Sequence, residues 1–280
     1  MDQNGELSGG GRFDAVGFSV GNTGYISNGT GYDRYLRDNW AFDPQKNSWN
    51  RVADFPEGAR REAFSFSIGN KAYVGYGTNT DTFSLRNDFY EFDPATGRWT
   101  RKADIPRLWN NNAVGLAVNG KGYIITGDYS KQVLEYDPVT NQWTVKKDFP
   151  GEDRSSAAGF VINGIGYLVG GNPGYGRGLV DVWEYDASQD SWTRRADIRS
   201  IGYEGTGFSV HGKGYICNAN GSYKQIFEFD PAKNKWSRKK DFPGAATTSS
   251  VSFVIDGVAY VATGSTYGNV SNEIWRFDPE

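Results

Sequence analysis

Residues 63–68 read Ala63-Phe64-Ser65-Phe66-Ser67-Ile68, with large apolar groups at Phe64, Phe66 and Ile68. A period of two over so short a run predicts a half-buried strand, here termed strand a. The pair Gly69-Asn70 follows, and residues of these types tolerate the positive φ of a two-residue hairpin turn. Gly21-Asn22, Asn119-Gly120, Asn163-Gly164, His211-Gly212 and Asp256-Gly257 stand at the same place elsewhere. Strand b is predicted from Ala72 to Gly77 and, after a variable loop, strand c from Asp88 to Phe92. In the next turn Asp93 can accept a backbone N–H while Pro94 presets φ. Trp99 opens strand d, which ends at Ala103-Asp104-Ile105-Pro106. No stretch carries a helical period.

This unit repeats. Phe/Tyr-Asp-Pro recurs as Phe42-Asp43-Pro44, Phe92-Asp93-Pro94, Tyr136-Asp137-Pro138, Phe229-Asp230-Pro231 and Phe277-Asp278-Pro279, with Tyr185-Asp186-Ala187 as a variant. A tryptophan stands six residues after the Asp at Trp49, Trp99, Trp143, Trp192 and Trp236. A strand-b tyrosine precedes it at Tyr25, Tyr73, Tyr123, Tyr167, Tyr215 and Tyr260. The period of 44 to 50 residues is too long for a leucine-rich repeat and fits a four-stranded propeller blade. Six periods fill the chain. The predicted fold is therefore all-β, one domain, a six-bladed β-propeller of four-stranded antiparallel blades. Their approximate bounds are 13–56, 61–106, 111–150, 155–199, 204–243 and 248–280 plus 3–7.

At these residues the chain resembles the kelch-repeat family: the glycine pair Gly170-Gly171 closing a strand b, the strand-b tyrosine, and the Trp six past the turn Asp. The repeated Phe/Tyr-Asp-Pro and Trp-x-x-x-x-Asp-Phe/Ile-Pro wording is similar to kelch lipoproteins of Bacteroidetes-type bacteria. The resemblance covers residues 12–280, and implies an exported protein whose leader is absent from this chain. Most blades depart from it by replacing the first glycine of the pair.

Blade six reaches Glu280 before any strand d. Aligning Arg12 with Arg60 sets Leu7 against Phe55 and Met1 against Trp49, so residues 3–7 are the candidate outer strand. Gly5 and the absence of a Trp weaken that match, and an unpaired outer edge is the alternative.

In such a blade the b–c and d–a loops share one face, and the a–b turns share the other. From strand-b Tyr to turn Asp the distances are 18, 20, 14, 19, 15 and 18 residues. Variable loops on a rigid ring are where function concentrates. These loops each carry an aromatic: Tyr32, Phe83, Tyr129, Tyr175, Tyr223 and Tyr267. The d–a loops carry Arg12, Arg60, Asn110, Arg154, Tyr203 and Thr247 at one position. Two residues on stand Asp14, Glu62, Asn112, Ser156, Gly205 and Ser249, and Trp109 adds a ring. In kelch domains that bind peptides, arginines at the first position reach into the pocket, a role the resemblance implies for Arg12, Arg60 and Arg154. The expected mouth is polar and partly cationic, rimmed by aromatic faces. It suits a stacked sugar or an acidic peptide held by Arg. A plainer reading stands beside it: the tyrosines pack loops on the next blade, and each Arg pairs with a carboxylate such as Asp14 or Glu62.

Composition narrows the chemistry. A formal net charge of −3 with interspersed signs leaves no basic stripe for nucleic acid. No apolar run approaches the roughly 18 residues of a membrane helix. The start Met1-Asp2-Gln3-Asn4-Gly5 has neither the charged nor the apolar region of a signal peptide. Cys217 is the single cysteine and His211 the single histidine, so no intrachain disulfide forms. The copper oxidases of this fold need two histidines, two tyrosines and a cysteine cross-link, so that chemistry is excluded. His211 reads as a turn residue and Cys217 as a buried hydrophobe.

The resulting expectation is a monomeric, non-enzymatic binding module without cofactor or metal, recognising a glycan or a peptide. Its site residues are Arg12, Asp14, Tyr32, Arg60, Glu62, Trp109, Asn110, Arg154, Tyr175, Tyr203 and Tyr267. Two rivals stand: a scaffold associating through blade edges and strand-d residues such as Arg101, Lys146 and Arg194, and a mutarotase-like sugar isomerase centred on Arg60, Glu62 and Asp14.

Overall fold

The computed structural model describes residues 1–79, 84–106, 111–128, 130–174, 177–199, 202–217, 224–266 and 269–279. Six four-stranded antiparallel sheets form the blades. Blade two, whose repeat was read above, has strands Phe64–Ile68, Lys71–Gly75, Phe89–Asp93 and Arg98–Arg101. The first three lie within two residues of the sequence reading, whereas strand d stops at Arg101, before the Ala103-Asp104-Ile105-Pro106 end expected for it. Each strand a packs on the next blade's, and Val251–Ile255 of blade six returns to Val16–Val20 of blade one, closing the ring.

Local chemistry explains the repeat. Gly21 (φ 56°) and Gly69 (φ 57°) open turns in which only the first residue is left-handed, the φ signs of a type II′ hairpin. Asn119, Asn163, His211 and Asp256 take φ near 50° before a second left-handed glycine, the signs of type I′. His211 is thus the turn residue expected. The turn aspartates accept the predicted backbone N–H, as from Ala95 to Asp93 at 2.9 Å and from Val139 to Asp137 at 2.8 Å.

Blades stick to one another through rings laid on glycines. A Cβ at Gly24, Gly122 or Gly214 would overlap Phe253, Phe66 or Phe160 of the preceding blade. The repeated tryptophans add a staple: the Nε1–H groups of Trp99, Trp143 and Trp236 donate to Ala53, Ala103 and Ala196 at the end of the blade before, at 2.9–3.0 Å.

The N-terminal segment does complete blade six. Strand Asp2–Glu6 pairs antiparallel with Glu273–Phe277, matching Asp2 to Arg276 and Gln3 to Trp275. The register slips between Gln3 and Glu6, around Gly5 at φ 95°, which is a bulge of the sort glycine permits. Leu7, 1% exposed, fills the place that Phe55, Ile105, Phe149, Ile198 and Phe242 fill elsewhere. Burial of that side chain makes the latch specific despite the missing tryptophan.

The double-glycine position is left-handed throughout the described blades: Asn28, Tyr76, Thr126, Gly170 and Thr263 have φ 57–63°, and the glycine after each has φ 88–107°. A substituted first position is therefore tolerated at a cost in backbone strain. The second stays glycine because a Cβ there, as at Gly29, would press on Phe13 and Ala15.

Candidate functional site

At the end of the channel shared by the b–c and d–a loops, one residue per blade faces inward: Asp14, Glu62, Asn112, Ser156, Glu204 and Ser249. All six are left-handed, with φ between 51° and 60°. Peptide hydrogen bonds link them around the rim. The N–H of Glu62 donates to Asp14 C=O (3.1 Å), Asn112 to Glu62 (3.2 Å), Ser156 to Asn112 (3.1 Å), Glu204 to Ser156 (2.9 Å) and Ser249 to Glu204 (3.4 Å). The unusual φ turns five of the six carbonyls towards a neighbouring N–H and each side chain into a cavity of 170 Å³. Below the rim the walls narrow to small residues, Ala15, Ala63, Ala113, Ala157, Gly205 and Ser250.

The mouth is acidic. Burial pushes the Asp14 carboxyl above its ordinary value, against a hydrogen bond from Ser249 and the charge of Arg61. Glu62 is raised by burial too, and further by Asp14 and Asp128, with Arg61 opposing. Glu204 is raised by burial and by Asp14. Asp128, raised by burial, accepts the N–H of Asn111 at 2.9 Å. Partly dehydrated carboxylates crowded around one rim accept hydrogen bonds from hydroxyl or amine donors and disfavour anions.

The arginines are elsewhere. Arg12, Arg60 and Arg154 are 0% exposed and sit in the wall between a d–a segment and the end of the same blade's b–c loop. Arg60 binds Asp88 through both nitrogens (2.7 and 2.9 Å), gives a third bond to Tyr76 C=O (2.9 Å), and lies over the Phe55 ring at 4.4 Å. Arg154 does the same with Asp181 (2.6 and 2.8 Å), Gly170 C=O (2.8 Å) and Phe149. Arg12 holds Asp38 (2.7 and 3.1 Å) and Asn28 C=O (3.1 Å). Burial would raise Asp38 and Asp181, but the bonded guanidinium outweighs it and holds both below the usual carboxylate range. The arginines expected at the mouth thus lie inside the wall, where a bidentate carboxylate and a main-chain acceptor take up their guanidinium N–H groups. The partners are also not Asp14 or Glu62.

In blade five the structural alignment differs from the one read by position. Gly202 C=O accepts Gly171 N–H (3.1 Å), as Arg60 accepts from Gly29, Arg154 from Gly127 and Arg12 from Gly264. Gly202, not Tyr203, is thus the counterpart of the arginines, and Glu204, not Gly205, that of Glu62. Gly178 packs directly on Gly202, since a Cβ on Gly178 would overlap the Gly202 main chain. Tyr203 lies half-buried one position along.

Of the loop aromatics, Tyr32 is 82% exposed on the blade-one loop, with Tyr35 at 38% nearby. Phe83, Trp109, Asn110, Tyr129, Tyr175, Tyr223 and Tyr267 lie outside the described residues. Sequence reasoning missed Glu204, Asp128 and the Asp38, Asp88 and Asp181 partners. A signal for the partners was there: an Asp stands directly before strand c in each blade that carries the arginine, whereas blades three and five have Gln132 and Gln225. Cys217 is buried at the end of its strand b, and that burial pushes its thiol up to about 12.

Ring, rim and loops together define a six-bladed β-propeller with an acidic channel mouth. Among solved structures the chain is similar to YjhT, with a TM-score of 0.83 at 18% identity, covering 98% of this chain and 99% of the other. At that identity the likeness speaks for the fold alone. No protein-family profile matches the chain, and no curated protein matches it. The narrower likeness to bacterial lipoproteins gains no support from these comparisons.

Proposed function

We propose that the chain is a non-enzymatic binding module that takes a glycan end at the acidic channel mouth. The observation carrying this reading is the hydrogen-bonded rim, which directs Asp14, Glu62 and Glu204 into one small cavity beside Asn112, Ser156 and Ser249. Carboxylates, a carboxamide and hydroxyls arranged in a circle suit a ligand rich in hydroxyl donors. At 170 Å³ the cavity is below the usual range for a drug-sized ligand. It fits a single terminal sugar unit, with the remaining chain lying across the loops near Tyr32. Of the two ligand classes considered from sequence, the acidic peptide loses its basis, because Arg12, Arg60 and Arg154 are engaged inside the wall.

The rival readings are weaker on the same grounds. The isomerase would need Arg60, which is buried. The scaffold's Arg101 and Arg194 are held by Asp104 and Asp197. A glycan array followed by thermal shift tests the proposal. It expects saturable stabilisation by a neutral or amine-bearing glycan that is lost in Glu62→Gln. Binding confined to acidic peptides, turnover of a sugar anomer, or self-association without any ligand shift would each overturn it.

A further inference from the structure

The row where strands a, b, c and d of blade one face blade two runs Val16, Ser27, Asn39, Val52. Its two central places are polar only in blade one. The matching pairs are Gly75 and Phe89, Ile125 and Val133, Val169 and Val182, Cys217 and Ile226, and Ala262 and Ile274. Asn28, next to Ser27, occupies the left-handed position whose blade-two counterpart, Tyr76, packs on Phe64. Phe64 corresponds to Val16, so that position's side chain turns towards the same row. Ser27, Asn28 and Asn39 are each 0% exposed. None of their five polar atoms, Ser27 Oγ and the Nδ2 and Oδ1 of both asparagines, meets a hydrogen-bond partner among the described residues.

Five such atoms cannot stay unpaired, since together they would offset the whole stability of an ordinary domain. We propose that this row is an internal hydration site, holding about two ordered waters between blades one and two. Water is the guest because the site presents both donors and acceptors. A cation would serve only the oxygens and leave the two amide N–H groups unmatched. The site also has a task. The main chain of Asn28 donates to Asp38 C=O (3.1 Å) and accepts from Arg12 (3.1 Å), closing the base of the loop that carries Tyr32. Waters bridging the Asn28 and Asn39 side chains would tie the two ends of that loop together.

A crystal structure of the full chain at a resolution that shows solvent tests this. The expected result is water bonded to Asn28, Asn39 and Ser27 at roughly 2.7–3.1 Å. Density showing the three side chains bonded directly to protein groups, with no solvent between, overturns the proposal. Magnetic relaxation dispersion gives a second test in solution, comparing native protein with a Ser27→Val, Asn39→Val variant that copies blade four. The count of long-lived waters should fall by about two, and an unchanged count contradicts the site.

Discussion

The arginine clamp of blade four makes the sharpest stability prediction, because the chain contains its own control. Blades with Arg12, Arg60 or Arg154 carry an Asp before strand c, whereas blade three has Asn110 and Gln132 at those places. Arg154→Asn removes the two bonds to Asp181 and those to Gly170 and Glu152. It leaves Asp181 15% exposed and still bonded to Trp183 Nε1 at 2.7 Å. Such partial relief places the loss near the low end for a broken buried pair, about 3 kcal/mol. Asp181→Gln strands a guanidinium that is 0% exposed and should cost more, about 4–5 kcal/mol. The double change recreates the neutral blade-three pair and should cost only about 1–2 kcal/mol. The two sites therefore couple by roughly 5–7 kcal/mol, far from additive. Guanidinium denaturation with matched m-values measures each free energy. If the double variant loses the sum of the single losses to within about 0.5 kcal/mol, the clamp is not the structural unit described.

Stability should respond to pH in two opposite ways. Asp14, Glu62, Glu204 and Asp128 are raised by burial, so the folded state binds their protons first. Stability then grows as pH falls through their folded values towards the ordinary carboxylate range, and Tm should rise on mild acidification. Asp38 and Asp181 are depressed, so their contribution is present above the ordinary value and is lost as pH falls below it. Calorimetric scans should show Tm rising and then falling, and Glu62→Gln should shrink the rise. Leu7→Ala removes the buried anchor of the latch, and chemical denaturation should register a loss of about 2–4 kcal/mol. Thr126→Gly relieves a β-branched residue at φ 59° whose buried hydroxyl lacks a partner among the described residues. Set against lost methyl contacts and added chain entropy, the gain is about 1 kcal/mol, seen as a raised Tm.

The fold was legible because each blade must solve the same local problems, and the solutions leave residue-level marks. Turn pairs need positive φ, Asp93 and its counterparts cap a turn, and Trp99 and its counterparts reach back to the preceding blade. Even the latch could be located, from the spacing of Leu7 to Arg12. The site was less legible, because a residue's position in a loop does not fix which way its side chain turns. Arg60 was read by place in the repeat, yet its direction is set by Asp88 of the same blade, distant in sequence and recognised as its partner only by comparing blades. In blade five, position along the repeat pointed to Tyr203, while the backbone hydrogen bond from Gly171 marks Gly202 and so brings Glu204 into the rim. The fully buried polar atoms of Asn28 and Asn39 had no sequence signal beyond their contrast with the apolar residues of the other blades.

The acidic rim as ligand site is tested most directly by calorimetric titration of the best array glycan into three proteins: native, Glu62→Gln, and the Arg154→Asn, Asp181→Gln double variant. Affinity should drop at least about tenfold, or 1.4 kcal/mol, in Glu62→Gln and stay at the native value in the double variant. Full affinity in Glu62→Gln, or a loss confined to the double variant, would contradict the assignment and return the arginines to the binding surface.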